Sequence, residues 1–224
     1  MNFKTIMIYV DDDPLSKAYA SYVTRSWEGF DLKYFEAVTP ATLANETGLT
    51  FGQRGSSDNP RDLTDTEKAC FYSQYKLWKK CAIENVPILV LEHDALCVNQ
   101  GAIKFNNSLD VQFFGQHSME AVMYHPRFAK LLVEYCNRAT VTGPMNLVDM
   151  LLGYFHRGQQ SRYGRPHARY MGKNAPVRSV IDENLGTTVD HDGTTLDRLR
   201  RDRDLFEVVD VSEHYNEYVK NSNQ

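Results

Sequence analysis

The sequence has no long apolar run, and this absence argues against a membrane-spanning protein. No stretch approaches the roughly 18 consecutive apolar residues that a spanning helix needs. The apolar stretch near the amino terminus is short and ends in three aspartates. There is also no internal repeat and no low-complexity tract. We therefore expect a soluble, unsecreted protein without a membrane span.

Paired cysteines are missing as well. The four cysteines, Cys70, Cys81, Cys97 and Cys136, form no C-x-x-C pair. Three of them, Cys70, Cys81 and Cys136, fall at apolar positions of helical patterns, which predicts reduced side chains in the core. Reduced cysteines favour a cytoplasmic location.

The chain carries no large charge of either sign. Its 224 residues have a formal net charge of −4, which argues against a protein that coats polyanions over its whole surface. A local basic site is still possible. With 42% hydrophobic and 12% aromatic residues the chain can bury one sizeable core. We expect a single domain over residues 1–224.

Short apolar strands alternate with longer amphipathic helices along the chain. This order predicts the α/β class, with a mainly parallel sheet flanked by helices. Thr64 and Glu67 have the spacing of a capping box, and aromatic and apolar residues recur behind them at steps of three and four. The predicted strands are 6–10, 32–35, 87–91 and 109–114; the predicted helices are 14–27, 64 onward, 126 to about 138 and 146 to about 156. Residues 45–61 are predicted to form a long polar loop, and the pattern becomes irregular after residue 156.

Two carboxylates one residue apart follow the apolar run 87–91. Alternate side chains of a strand share a face, so Glu92 and Asp94 are expected to point the same way at the carboxyl end of a buried strand. Ligands collect at this end of the strands in α/β sheets, and Mg²⁺ or Mn²⁺ prefers oxygen ligands. The alternative is a solvated Glu and Asp at the start of a loop.

Residues 156–179 contain six cationic side chains and no Asp or Glu. This basic segment has tyrosines between its cations, so it is expected to bind an anion such as nucleic acid, a nucleotide diphosphate or an anionic glycan. The alternative is a mobile, solvated loop, because glycine and proline are also frequent. The cations are Arg157, Arg162, Arg165, Arg169, Lys173 and Arg178.

A later segment places an imidazole between two carboxylates. His191 lies between Asp190 and Asp192, and Gly193 follows. His191 could add a ligand to the metal at Glu92 and Asp94, or this group could supply a base. A turn built by Asp192 and Gly193 is the plain alternative.

Several ordered blocks of the sequence resemble glycosyltransferase family 25, the lipooligosaccharide and procollagen sugar transferases. The resemblance covers about residues 4–156. Two positions differ from the family pattern: His93 replaces the central acid of the usual Glu-Asp-Asp, and Gln74 replaces the histidine of a Ser-His pair. The matching blocks are IYVDD at 8–12, FEAVT at 35–39, TEKACFYSQYKLW at 66–78, LVLEHD at 89–94, DVQFFG at 110–115 and PRFAKLL at 126–132.

The resemblance implies a GT-A fold with a Rossmann-like sheet that binds a nucleotide-sugar, expected to be a uridine diphosphate sugar, together with Mn²⁺ or Mg²⁺. It places the nucleotide base and ribose at Tyr9, Val10 and Asp11. It also suggests an inverting transfer, which needs a base for the acceptor hydroxyl. Asp149 occupies a position similar to the family's Pro-x-Asp, and Asp192 is the second candidate for this base.

An arginine of the basic segment, Arg162 or Arg165, would assist the metal at the diphosphate. The compact chain resembles short stand-alone members of the family carried by bacteriophages. We therefore expect hydroxymethylated cytosine in double-stranded phage DNA as the acceptor, in the host cytoplasm. A glycan acceptor is the first alternative, and a non-catalytic protein that binds nucleotide-sugar or nucleic acid is the second.

Overall fold

The computed structural model describes residues 3–53, 60–115, 119–142, 168–170 and 175–179. The helices are α1 (Pro14–Thr24), α2 (Asp65–Glu84) and α3 (Pro126–Cys136). Short 3₁₀ helices span Arg25–Trp27, Leu43–Asn45 and Gln100–Ala102. The strands are β1 (Lys4–Tyr9), β2 (Leu32–Glu36), β3 (Thr50–Phe51), β4 (Ile88–Leu91), β5 (Ala95–Cys97), β6 (Val111–Phe113), β7 (Ala121–Tyr124), β8 (Thr140–Val141), β9 (Ala168–Tyr170) and β10 (Val177–Ser179).

Six strands form the central sheet, in the order β2-β1-β4-β7-β6-β9. The pairs β1 with β2, β1 with β4 and β6 with β9 are parallel, whereas β7 is antiparallel to both β4 and β6. Only β7 therefore runs against the other five strands of this sheet. The predicted α/β class with a mainly parallel sheet is confirmed, and β7 is a strand that the sequence analysis missed.

Side chains of the central strands alternate between two cores. On one face, Ile88 and Val90 of β4 pack in a cluster with α2 and α3. On the other face, Leu89 and Leu91 pack in a cluster with α1. All four side chains are buried, as expected for a strand covered on both faces. The sheet is thus flanked by helices, as predicted.

Several local expectations need correction. The helix expected at 14–27 changes to a 3₁₀ turn at Arg25, and the strand expected at 109–114 shortens to Val111–Phe113. The loop expected at 45–61 contains β3, which pairs with β8. Cys70 is exposed, so the core position predicted for it is wrong, whereas the other three cysteines are buried. Within the described ranges, no helix is long and apolar enough to cross a membrane.

Two short parts of the basic segment form strands. Its residues 168–170 form β9 at the edge of the central sheet, and residues 177–179 form β10, which pairs with β5. Both strands have only three residues, and each pairs with a strand far away in the sequence. This explains why no local periodicity indicated them.

Candidate functional site at the carboxyl edge of the sheet

The parallel strands bring two predicted groups of residues to one edge of the sheet. β1 ends at Tyr9, and its neighbour β4 ends at Leu91, directly before Glu92. Because β7 runs in the opposite direction, its first residue lies at the same edge, next to Glu120. This edge is where α/β proteins commonly bind ligands.

Glu92 and Asp94 lie in a turn and not on the strand. β4 ends at Leu91, and the amide of Ala95 donates to the carbonyl of Glu92 at 3.1 Å, which closes a four-residue turn. The amide of Glu92 donates to the carbonyl of Glu120 at 2.9 Å and so fixes the start of the turn to β7. The strand alternation expected for Glu92 and Asp94 was therefore wrong, because the turn sets the directions of these side chains.

Asp94 is the more buried of the two acids. It is 6% exposed, and Ser179 Oγ donates a hydrogen bond to its Oδ2. Glu92 is half-buried. A carboxylate buried at this depth needs a polar partner, and Ser179 provides one. The alternative prediction, a solvated acid at the start of a loop, is wrong for Asp94, because its side chain is buried.

Gly115 makes room for a third acid at this edge. Glu120 is 4% exposed, and a Cβ atom added at Gly115 would lie 2.1 Å from its Oε2. No side chain larger than glycine therefore fits beside the carboxylate without a shift. The glycine at the end of the 110–115 block thus has a steric role.

The predicted nucleoside residues lie at the end of β1, with Tyr9 as its last residue. The amide of Val10 donates to Ser16 Oγ at 2.9 Å, and Asp11 forms an ion pair with Lys17 at 3.0 Å. Burial and the nearby carboxylates of Asp11 and Glu36 raise the pKa of Tyr9, so the phenol stays neutral. These residues form a polar, partly accessible surface beside the turn.

Ser73 and Gln74, which align with the family's Ser-His pair, lie buried in α2. Ser73 Oγ accepts from the amide of Val38 at 2.9 Å and donates to the carbonyl of Ala69 at 3.1 Å. The hydroxyl therefore connects α2 to the segment that follows β2. The Oε1 atom of Gln74 has no hydrogen-bond partner among the residues that the structure describes.

The remaining predicted site residues lie outside the described ranges. These residues are Asp149, His191, Asp192, Arg162 and Arg165. The structure does bring together the other predicted residues, Glu92 and Asp94 at the end of β4 and Tyr9–Asp11 at the end of β1.

Sequence reasoning missed Ser179 and Glu120. Ser179 had no signal, because a serine 85 residues away from its partner leaves no local pattern. Glu120 had a weak signal, since the apolar run 121–124 follows it directly.

The donor set at the turn fits a hard divalent cation. Glu92 and Asp94 offer oxygen ligands, and Mg²⁺ commonly takes one or two carboxylates from the protein and its other ligands from water and phosphate. Within the described part of the chain, no group of three or more His, Cys, Asp or Glu side chains could hold a metal. The two carboxylates would therefore have to act with substrate oxygens.

A pocket of about 430 Å³ lies at the opposite edge of the sheet. Its position next to Pro87, before β4, and His125, after β7, separates it from the turn at Glu92. Burial and the neighbouring Arg127 lower the pKa of His125, so this imidazole is neutral at pH 7. The lining residues are Asn85, Pro87, Phe105, Asn107, His125 and Pro126.

Comparison with known proteins gives a family and two relatives. The family described as "Glycosyltransferase family 25 (LPS biosynthesis protein)" matches residues 16–141, just over half of the chain. The lipooligosaccharide biosynthesis protein lic2B of Haemophilus influenzae is 44% identical over 43 residues, which are 19% of this chain and 16% of that protein. The chain thus matches less than a fifth of the length of this curated relative.

Comparison with solved structures also gives a match. It is a glycosyltransferase involved in the glycosylation of the major capsid of PBCV-1, with a TM-score of 0.49 and 9% identity, over 90% of this chain and 98% of that one. Nothing about the site follows from a likeness at this level.

By fold, the molecule is an α/β protein with buried acids at the carboxyl edge of its sheet, the edge where α/β proteins commonly bind ligands. The chain belongs to glycosyltransferase family 25. The matched residues include Glu92 and Asp94, whereas Tyr9–Asp11 and Ser179 lie outside the match.

Proposed function

We propose that this protein transfers a sugar from a uridine diphosphate sugar to an acceptor hydroxyl, with a divalent cation bound at Glu92 and Asp94. Membership of a glycosyltransferase family supports the reaction class. One observation supports this site in particular. Asp94 is buried in a turn at the carboxyl edge of the sheet and lies within the residues that the family matches.

The chemistry of the transfer suits these residues. The anomeric carbon loses its bond to the diphosphate, whose oxygens gain negative charge, and gains a bond to the acceptor oxygen, which loses its proton to a base. A bound Mg²⁺ or Mn²⁺ would supply Lewis-acid stabilisation of the leaving diphosphate. Tyr9, Val10 and Asp11 would bind the nucleoside from the adjacent strand end, about one strand spacing away.

The roles of five further residues are part of the proposal. Asp149 is the proposed base for an inverting transfer, and Asp192 is the second candidate. Arg162 and Arg165 would contact the diphosphate, because an arginine fork suits phosphate oxygens. His191 would add a ligand to the cation.

We infer a glycan as the first acceptor to test. The name of the relative, a lipooligosaccharide biosynthesis protein, supports this choice. Hydroxymethylated cytosine in DNA is the second acceptor, supported by the six cations of the basic segment and its lack of acids. The two acceptors differ in one measurable property, since DNA binding through phosphates weakens steeply as salt concentration rises.

Replacement of Asp94 by Asn tests the metal site. Asn keeps the shape of the side chain and loses its charge, so Mn²⁺-dependent transfer and donor affinity should fall by roughly two orders of magnitude or more. Asp110→Asn is a matched control, because Asp110 is also buried but lies at the opposite edge of the sheet, paired with Arg127. It should lower stability and leave Mn²⁺ binding unchanged. Metal-independent turnover in Asp94→Asn would overturn the assignment.

The acceptor is identified by offering three substrates to the same enzyme. Lipooligosaccharide, hydroxymethylcytosine DNA and unmodified DNA are incubated with a panel of uridine diphosphate sugars and Mn²⁺, and transfer is scored by mass. Transfer to the glycan alone supports the first acceptor, and transfer to the modified DNA alone supports the second. Donor binding without transfer and without donor hydrolysis would show a non-catalytic protein.

A further inference from the structure

The carboxylate of Asp94 is contacted by a residue from a remote part of the chain. Ser179 Oγ donates to Asp94 Oδ2 across 85 residues of sequence, and the two residues are 4% and 6% exposed. Within the part of the chain that the structure describes, this is the only hydrogen bond to the Asp94 carboxylate. The hydroxyl therefore limits how the carboxylate can rotate.

Ser179 is itself held by strand pairing. In the antiparallel pair of β10 and β5, Ser179 lies opposite Ala95, the residue after Asp94. The amide of Val177 donates to the carbonyl of Phe114 at 3.2 Å, which fixes β10 to the end of β6. Val177 is completely buried, so β10 is anchored by apolar packing as well. The position of the hydroxyl is thus set by the fold.

Two further hydrogen bonds, with Trp27 and Ser26, hold β5, the strand that follows Asp94. Trp27 Nε1 donates to the carbonyl of Ala95 at 2.7 Å, and Ser26 Oγ accepts from the amide of Cys97 at 2.9 Å. These bonds hold the backbone of β5 but do not reach the Asp94 side chain. Different groups therefore hold the backbone of β5 and the carboxylate of Asp94.

We propose that Ser179 is a positioning residue for Asp94. Its hydroxyl occupies Oδ2 and fixes the side chain so that Oδ1 remains available to a divalent cation. This inference rests on the proposed function, in which Asp94 holds that cation. Groups that hydrogen-bond a metal ligand in this way typically contribute 10–100-fold in metal affinity or activity. Ser179 lies beyond residues 16–141, which the family matches.

The test measures Mn²⁺ binding by calorimetry in the presence of saturating uridine diphosphate, without turnover. Ser179→Ala should weaken Mn²⁺ binding by roughly 10–100-fold, because Asp94 loses its donor. Ser179→Thr keeps the hydroxyl and should stay within a few-fold of the wild type. Ser179→Cys has nearly the size of serine but a weak donor, so it should resemble Ala and serves if the Ala variant unfolds.

Ser26→Ala is the matched control, because it removes a hydroxyl that holds the backbone of the same strand. Equal losses of Mn²⁺ affinity in Ser26→Ala and Ser179→Ala would overturn the inference, since loosening of β5 would then explain both. Unchanged affinity in Ser179→Ala, with loss in Asp94→Asn, would also overturn it while the metal site stands. Wild-type affinity in Asp94→Asn would overturn the metal site and the inference together.

Discussion

At the scale of single residues, Gly115 is a position where one added methyl group has a predictable effect. Gly115→Ala would place a Cβ 2.1 Å from Oε2, 2.9 Å from Cδ and 3.1 Å from Cβ of Glu120, so this side chain, which is 4% exposed, must shift. Overpacking of this kind costs about 1–3 kcal/mol. We expect a loss of that size in the free energy of unfolding, measured by urea denaturation.

A control and a double variant separate crowding from other effects of this alanine. Gly101→Ala meets no atom closer than 3.4 Å and should change stability little. Glu120→Ala removes Oε2 and Cδ, the two nearest crowding atoms, so Gly115→Ala should cost less in that background. Equal costs in both backgrounds would show that the carboxylate is not the cause.

Single residues also show the reach of sequence reasoning at the site. The position of Glu92 and Asp94 directly after a buried strand could be predicted, because the two acids follow an apolar run. The directions of their side chains could not be predicted. They depend on whether strand pairing continues past Leu91 or a turn begins there, and the local sequence does not distinguish the two. The partner of Asp94 could not be predicted either, because Ser179 contacts it through tertiary structure alone.

At the scale of elements, α2 is the helix whose start is defined most sharply. Thr64 Oγ1 accepts from the amide of Glu67 at 3.2 Å, and Glu67 Oε2 accepts from the amide of Thr64 at 2.9 Å, which is the predicted capping box. Arg61 adds a two-point ion pair to Glu67, with N···O distances of 2.7 and 2.8 Å. The capping box and the ion pair with Arg61 therefore both stabilise the start of α2.

Removal of the cap should have a defined cost. Thr64→Ala should lower the free energy of unfolding by about 1 kcal/mol, since the amide of Glu67 loses its acceptor. Thr64→Ser keeps the acceptor and should be close to the wild type. Thermal and urea unfolding of the three proteins measure this difference, and an unchanged midpoint in Thr64→Ala would show that the Thr64 hydroxyl does not stabilise the helix start.

The elements found by sequence and those missed differ in length and in where their partners lie. The helices α1, α2 and α3 have 11 to 20 residues and carry caps or a proline in the first turn, so their patterns could be read locally. β7 has four residues, and β9 and β10 have three each. Runs this short are defined by their neighbours in the sheet, which a local window of sequence does not contain.

At the scale of the whole molecule, burial divides the cysteines into two groups. Burial raises the pKa values of Cys81 and Cys136 to about 12 and also raises that of Cys97, whereas Cys70 is exposed. Cys81 and Cys136 should carry roughly a thousandfold less thiolate than an ordinary cysteine, because each pKa unit is a factor of ten.

In a thiol titration of the native protein at pH 8 we expect one fast-reacting thiol, Cys70, and four reactive thiols after unfolding. Loss of the fast thiol in Cys70→Ser is the control, and any fast thiol that remains in that variant would contradict the burial of the other three cysteines.

The same thiols make the fold sensitive to alkali. The unfolded chain releases these protons near the ordinary value of 9, whereas folded Cys81 and Cys136 hold them until about pH 12. The unfolded state therefore binds fewer protons in this window, and stability falls as pH rises through it, by at most about 1.4 kcal/mol per pH unit for each thiol. Cys81→Ala should show a shallower fall between pH 9 and 12 in urea denaturation. An equal slope would show that other groups cause the alkaline loss.

The hydrogen bond between Asp94 and Ser179 also has a consequence for the order of events during protein synthesis. A ribosome that adds about 5–20 residues per second needs roughly 4–17 s to cover the 85 residues between these two positions. For that time the growing chain already contains β1, β2 and β4 together with the acids that follow β4, but not the hydroxyl that holds Asp94. A nascent chain that stops before residue 179 would therefore carry the carboxylate without its partner.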